Sequence, residues 1–265
     1  MHWNSLIGKC RQLFGAAPSL WSPFIKGWLN RKSNDFVPCI VPGANKLLRI
    51  PTQDFYRSYS FFTESAKGRR ELDYVLGKLK PNDVLYDVGG YRGVFSAAAI
   101  ARLNDAVSVH VFEPIQTNYA AIERLSSIND FRDFKIVPLA LSDGSALSGS
   151  FDEVNFVFKS KDSILPKADM QSTTLDDYIA KGATPPTFIK MDIDGFELDA
   201  LSGGLRCLKE VHPRIWLELH PQFLRDQGKS SDQVLQLLRG AGYSIEPFED
   251  HNPADQNSPY HVWCQ

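Results

Sequence analysis

The sequence predicts an α/β fold: a mostly parallel sheet with helices on both faces, a C-terminal antiparallel strand pair, and a helical N-terminal extension. Three observations carry that prediction. Residues 84–103, VLYDVGGYRGVFSAAAIARL, run from a short apolar strand through a glycine turn into an apolar-periodic helix. Strand and helix patterns then alternate as far as residue 240, and such alternation implies parallel pairing through right-handed crossovers. Finally, residues 243–248 and 260–264 alternate in polarity around a turn-rich link, which reads as an antiparallel closing pair.

Taken in order, the chain begins with two amphipathic stripes in residues 1–34. The first is Trp3, Leu6, Ile7, Cys10 and Phe14; the second is Trp21, Phe24, Ile25, Trp28 and Leu29, opened by Ser22-Pro23. The stripes are read as docking on the protein or on a second subunit; the alternative is peripheral membrane contact, which the segment's five basic residues beside three tryptophans, with no acid, would suit. Residues 1–62 are therefore set apart as an extension and connector, with a small hairpin around 46–50, and residues 63–265 form the main domain. Helix 64–80 leads into the strand at residues 84–88, followed by helix 94, strand 108–112, helix 118–127 and strand 135–141. An insert at 144–159, strand-like at 156–158, is placed over the sheet edge. Helix 174–179, strands 188–194 and 214–220, and helix 231–240 with a Ser230/Gln233 capping box complete the order.

Composition narrows the function. The 265 residues are 43% hydrophobic, enough for one sizeable domain. Lys plus Arg number 29 against 31 Asp plus Glu, which argues against a nucleic-acid partner. The four cysteines lack metal or disulfide spacing, and no apolar run approaches the roughly 18 residues of a membrane span, so a cytoplasmic location is expected.

The glycine turn supports an adenosine-containing cofactor, because Gly89, Gly90 and Gly93 let a ligand approach the backbone. Asp87, at the strand end, would repel a dinucleotide pyrophosphate but suits the ammonium and sulfonium of S-adenosyl-L-methionine. The other reading of Asp87 is a turn cap. Glu113 ends the next strand, 20 residues beyond Gly93, where a carboxylate can accept both ribose hydroxyls. Ser142 and Asp143 end the third strand and are either adenine-amino acceptors or turn caps.

Two later strands carry charge where central strands should be apolar. In FIKMDID, Ile189, Met191 and Ile193 share one face while Lys190, Asp192 and Asp194 share the other. In RIWLELH, Glu218 and His220 face with Trp216. Lys190 and Glu218 form either an ion pair or part of a site. Asp192, Asp194 and His220 lie toward the carboxyl ends, where open α/β sheets bind ligands, and are expected to border the acceptor. His220 is the expected base, because the usual imidazole titrates near neutral pH.

The motifs DVGG-x-x-G from Asp87, FEP-x-x-x-N from Phe112 to Asn118, ALSD from Ala140, TLDDYI from Thr174 and IKMDIDGFELDALSGG from Ile189 resemble the FkbM family of S-adenosylmethionine-dependent methyltransferases. The resemblance covers roughly residues 46–247. It implies a Rossmann-like class I methyltransferase with a seven-stranded sheet, acting on a hydroxyl of a small molecule or glycan, sugar-type or polyketide-type. Together with the strand-end reading above, the expected cofactor contacts are Asp87, Gly89, Gly90, Tyr91, Gly93, Glu113, Pro114, Asn118, Ser142, Asp143 and Asp192, with Asp192, Asp194 and His220 on the catalytic side. Three positions depart from the family pattern. Gly90 stands for alanine, Tyr91 for asparagine and Asp194 for glutamate. No metal is expected, although hard oxygens at Asp192 and Asp194 would suit Mg²⁺. The competing functions are a non-catalytic adenosine-binding module and an NAD-dependent oxidoreductase, the latter opposed by the glycine spacing and by Asp87.

Overall fold

The computed structural model describes residues 36–41, 43–44, 46–54, 65–145, 147–152, 157–159, 167–249, 251–252 and 255–265. The two stripes expected within residues 1–34 lie outside the described residues.

Alternating apolar residues build a hairpin first. β1 (Phe36–Ile40) pairs antiparallel with β2 (Leu47–Pro51), and Leu48 and Ile50 point into the same buried cluster as Ile100 and Ile122. α1 (Ala66–Lys78) starts at Ser65, whose hydroxyl accepts from the Gly68 N–H at 2.9 Å. Then come β3 (Asp83–Val88), α2 (Val94–Leu103), β4 (Val107–Phe112), α3 (Gln116–Asn129) and β5 (Phe134–Val137). The second half supplies α4 (Leu175–Ala180), β11 (Phe188–Met191), α5 (Glu197–Ser202), α6 (Leu205–Glu210), β12 (Arg214–Leu219), α7 (Pro221–Asp226), α8 (Ser231–Gly240), β13 (Ile245–Pro247) and β14 (Tyr260–Cys264). The Ser230/Gln233 capping box forms in full at the start of α8.

The main sheet has seven strands in the order β13-β14-β12-β11-β3-β4-β5, with β14 antiparallel to both neighbours and the rest parallel. This is the Rossmann-like class I methyltransferase arrangement. The chain runs β3 to β4 to β5 in one direction, then returns to build β11 and β12 on the other side of β3. The order therefore reverses between β3 and β11, which is where open α/β sheets leave a crevice.

Period-two alternation sorts the core onto two faces. Leu85, Phe188, Trp216 and Trp263 pack with Val75 of α1 and Ala98 of α2, whereas Tyr86, Ile189, Leu217 and Val262 pack with Leu175, Leu201 and Leu238.

Four elements differ from the sequence expectation. The strand expected at 135–141 breaks into β5 and β6 (Ala140–Leu141), because Pro138 offers no ladder N–H and the Leu139 N–H turns back to the Val137 carbonyl at 2.8 Å. β6 then pairs with β10 (Ser172–Thr173) instead of the main sheet. The insert between them is a three-stranded antiparallel sheet of β7 (Leu147–Asp152), β8 (Val157–Lys159) and β9 (Lys167–Met170), larger than the single strand expected. β11 stops at Met191, where the chain turns through Asp194 and Gly195 at φ of 49° and 96°, and β13 is limited to Ile245–Pro247.

Candidate active site

A cavity of about 300 Å³ opens at the carboxyl ends of β3, β4 and β11, beside the order reversal. Gly89 and Tyr91 line it from the glycine turn, Glu113, Pro114 and Ile115 from the end of β4, and Asn118 from α3. Leu139 to Leu141 close one side with Leu147 and Met170, register partners in the insert sheet. Asp192, Ile193, Asp194 and Phe196 close the other. Among the expected site residues, Gly89, Tyr91, Glu113, Pro114, Asn118, Asp192 and Asp194 line the cavity; Asp87, Gly90, Gly93, Ser142, Asp143 and His220 are not among its lining residues.

Gly89 is required where the loops meet. Its φ is +81°, and a Cβ there would sit 1.8 Å from the Asp192 carbonyl oxygen. Gly90 has a different reason, because its Cβ would fall 2.1 Å from Cγ1 of Val111. Tyr91 adopts φ of 47°, a left-handed conformation that asparagine tolerates better than tyrosine.

Glu113 is buried and accepts three hydrogen bonds: Oε1 from the Ile115 N–H at 2.9 Å and Asn118 Nδ2 at 3.3 Å, Oε2 from the Tyr91 N–H at 2.8 Å. A carboxylate has about four acceptor positions, so one on Oε2 is left for a further donor rather than the two ribose bonds expected. Burial pushes its pKa up to about 7, against the pull of those donors. Ser142 and Asp143 serve the turn: the Ser142 hydroxyl accepts from the Gly144 N–H at 3.2 Å, and Asp143 Oδ1 from the Ser145 N–H at 2.9 Å.

Asp87 lies behind the cavity wall. It is fully buried, and its Oδ2 accepts from the Ser96 hydroxyl at 2.6 Å. The Lys190 ammonium sits 3.5 Å from its Oδ1, 3.4 Å from Asp192 Oδ2, and donates to the Gly89 carbonyl at 3.0 Å. The ion pairs of Lys190 thus run to Asp87 and Asp192, and the Lys190–Glu218 pair that the strand pattern offered as one reading is not among them. Burial alone would lower the Lys190 pKa, but the charges of Asp192, Asp87 and Glu218 outweigh it and hold the ammonium protonated. Glu218 instead faces two histidines, His220 at 3.8 Å and His261 at 3.4 Å.

His220 sits among carboxylates. Nδ1 lies 2.8 Å from Glu197 Oε1, and Nε2 lies 3.5 Å from Asp194 Oδ1 and 3.7 Å from Asp192 Oδ1. Burial would lower its pKa, yet the hydrogen bond to Glu197 and the charges of Asp192 and Glu218 raise it to about 9. The imidazole therefore carries its proton at neutral pH, and the reason for expecting it as the base does not hold in this arrangement. Burial and the neighbouring Asp192 charge push Asp194 up to about 7 instead, which matches a group that exchanges a proton near neutrality. Asp192 stays below the usual range: burial is outweighed by Lys190, His220 and His261.

Asp192, Glu218 and His220 each place a ligand-type atom within 4.8 Å of the others, a spacing open to a divalent cation. The same acids are balanced by Lys190, His220 and His261. Glu197 was not singled out in the sequence, because an acid opening a helix reads as an ordinary first-turn residue. Its signal was its place in the polar run DGFELD, one turn past Asp194.

Residues 87–245 match the Methyltransferase FkbM domain family. The chain is 27% identical over 185 residues to the hexuronic acid methyltransferase AglP of Haloferax volcanii, across 67% of this chain and 72% of that protein. The crystal structure of methyltransferase FkbM from Methylobacillus flagellatus KT superposes with a TM-score of 0.50 at 20% identity, over 71% of this chain and 45% of that one. This chain thus spans less than half of that larger protein, and what the two share at that identity is the fold. With the matched residues running from the glycine turn through the carboxylate cluster to the closing strands, the chain belongs to the FkbM family of methyltransferases.

Proposed function

We propose that this protein transfers the methyl group of S-adenosyl-L-methionine to a hydroxyl of a small-molecule or glycan acceptor, foremost a sugar-type one. The observation that carries the reading is the cavity itself, with Glu113 on the β4 side and Asp192 with Asp194 on the β11 side. A nucleoside and a reacting hydroxyl can thus each meet a carboxylate. The residues fit the cofactor chemically: Glu113 keeps one acceptor position for a ribose hydroxyl, and Gly89 leaves no side chain between the turn and the ligand. The family membership and the name of the Haloferax relative support methyl transfer and a sugar acceptor respectively.

The cofactor would supply an already activated methyl group, so the protein's part is to orient the acceptor, exclude water and receive a proton. Asp194 is the group suited to take that proton from the hydroxyl, a contribution of about 10² to 10⁴ in rate. Calorimetry with S-adenosylhomocysteine, S-adenosylmethionine and NAD tests the reading. Binding of the first two and not the third is expected; binding of NAD alone would overturn it.

A further inference from the structure

The cavity does not explain why a carboxylate is completely buried at the start of α5. Glu197 is 0% exposed, and its Oε1 receives both the Gly195 N–H at 3.0 Å and His220 Nδ1 at 2.8 Å, while Oε2 has no hydrogen-bond partner among the described residues. A turn cap alone would need one exposed acceptor. Burying an acid with a bare oxygen is unfavourable unless a cation adjoins it, and the adjoining group here is the His220 ring.

The same carboxylate grips the chain that carries Asp194. The turn at Asp194 and Gly195 is left-handed at both residues, and the Gly195 carbonyl is held from the far side by Gln227 Nε2 at 3.1 Å. A Cβ on Gly195 would meet Phe223 Cβ at 2.6 Å, and the Phe223 ring stacks on His220 at 5.7 Å between centroids. Glu197 therefore touches both the imidazole and the backbone that aims Asp194 at it. Because a carboxylate only accepts, Nδ1 must be the donor, and Nε2 is the atom presented to Asp192 and Asp194.

We propose that Glu197 is a positioning residue for the transfer reaction: by accepting from both His220 Nδ1 and the Gly195 N–H, it fixes the His220 ring with Nε2 toward Asp192 and Asp194 and holds the turn that carries Asp194. The inference rests on the methyl-transfer reading above. The proton moves from the acceptor hydroxyl to a carboxylate oxygen of Asp194, and Glu197 and His220 undergo no net change. The charged groups around the ring are Asp192 and Asp194 on the turn after β11, Glu197 on α5 and Glu218 on β12, with Lys190 on β11 and His261 on β14 bracketing Asp192 and Glu218.

Histidine-selective ¹⁵N NMR on the full chain tests this without an acceptor, with the His220 signal assigned by its loss in His220→Gln. The parent should show Nδ1 protonated throughout the titration. Glu197→Ala should let the proton of the neutral ring appear on Nε2, and Glu197→Gln, which keeps an accepting oxygen, should return it toward Nδ1. S-adenosylhomocysteine affinity should stay within about twofold in both variants, because Glu197 does not line the cavity. A neutral ring protonated on Nε2 in the parent, or an unchanged tautomer in Glu197→Ala, would overturn the proposal. If Glu197→Ala fails to fold, the parent tautomer decides alone. Loss of S-adenosylhomocysteine binding by the parent would instead count against the proposed function and leave the His220 result standing.

Discussion

Lys190 of β11 stands in register with Asp87 of β3, and its ammonium, 3.5 Å from Asp87 Oδ1, also donates to the Gly89 carbonyl and reaches Asp192. One cation thus ties together the two loops that bound the sheet's switch point. Asp87 acts on the cavity through this contact, from behind the wall.

The pair sets the first prediction. Removing one member leaves the other charged and buried, which costs about 3–5 kcal/mol. Lys190→Ala should lower unfolding stability by about that much, because the Asp87 side chain is 1% exposed and the Lys190 side chain 13%. Urea denaturation measures it; a loss below about 1 kcal/mol would mean that the pair is no more than a solvated surface contact.

The polarity of this region was legible in the sequence, and its pairing was not. FIKMDID puts Lys190 and Asp192 on one strand face by alternation alone, but naming Asp87 as the partner requires the parallel register of two strands some hundred residues apart. Ile189 and Met191 fell on the expected face because period two is a local property. The break at Pro138 was locally readable from its missing N–H, whereas the β6–β10 pairing that uses the freed segment is long-range. His220 was found by its place at a strand end, yet its charge state depends on Glu197, Asp192 and Glu218 converging from three elements. Only the fold supplies that convergence.

Glu113 gives the second prediction. With its pKa pushed up to about 7 by burial, it is a full acceptor only once ionised, so affinity for S-adenosylhomocysteine should rise with pH through that region. Glu113→Gln replaces an accepting oxygen with a donor amide facing other donors. It should weaken binding by tenfold or more, about 1.5–3 kcal/mol, and flatten the pH dependence. Calorimetry across that pH range checks both; an unchanged slope in the variant would assign the titration to another group.

Two histidines make opposite contributions to stability. His220 binds its proton more tightly in the folded chain, with a pKa near 9 against an ordinary 6.5, so its stabilisation is complete below the lower value and disappears as pH rises through the upper one. The amount is on the order of 3 kcal/mol. His110, whose Nδ1 pairs with the Tyr178 hydroxyl at 2.9 Å, has its pKa lowered by burial and by Lys135, so it favours folding when neutral. Its contribution is lost on acidification below its unfolded value, about 6.5. The stability these two groups contribute should therefore fall on both sides, and His220→Gln should flatten the parent's decline between about pH 6.5 and 9. A variant with the parent's alkaline slope would refute the assignment.

The final prediction concerns a residue by which this chain departs from its family's pattern. Gly90 stands where alanine is usual, and the added Cβ would lie 2.1 Å from Val111 Cγ1 and 3.4 Å from Ile122 Cδ1. Val111 is fully buried in β4, and its β-branched side chain has little rotamer freedom to yield. Gly90→Ala should therefore destabilise by overpacking, about 1–3 kcal/mol, even though the substitution matches the family. Val111→Ala alone should cost about 1–3 kcal/mol through the cavity it leaves, by lost transfer energy and packing. In the double variant the new methyl occupies part of the space that Val111 gave up, so the two costs should fall short of additive by more than about 0.5 kcal/mol. Strict additivity in a urea-denaturation cycle would place the strain of Gly90→Ala in the backbone of the turn rather than against Val111. Coupling would identify Val111 as the reason this chain carries glycine there, and would tie the shape of its cofactor turn to one methyl group in the neighbouring strand.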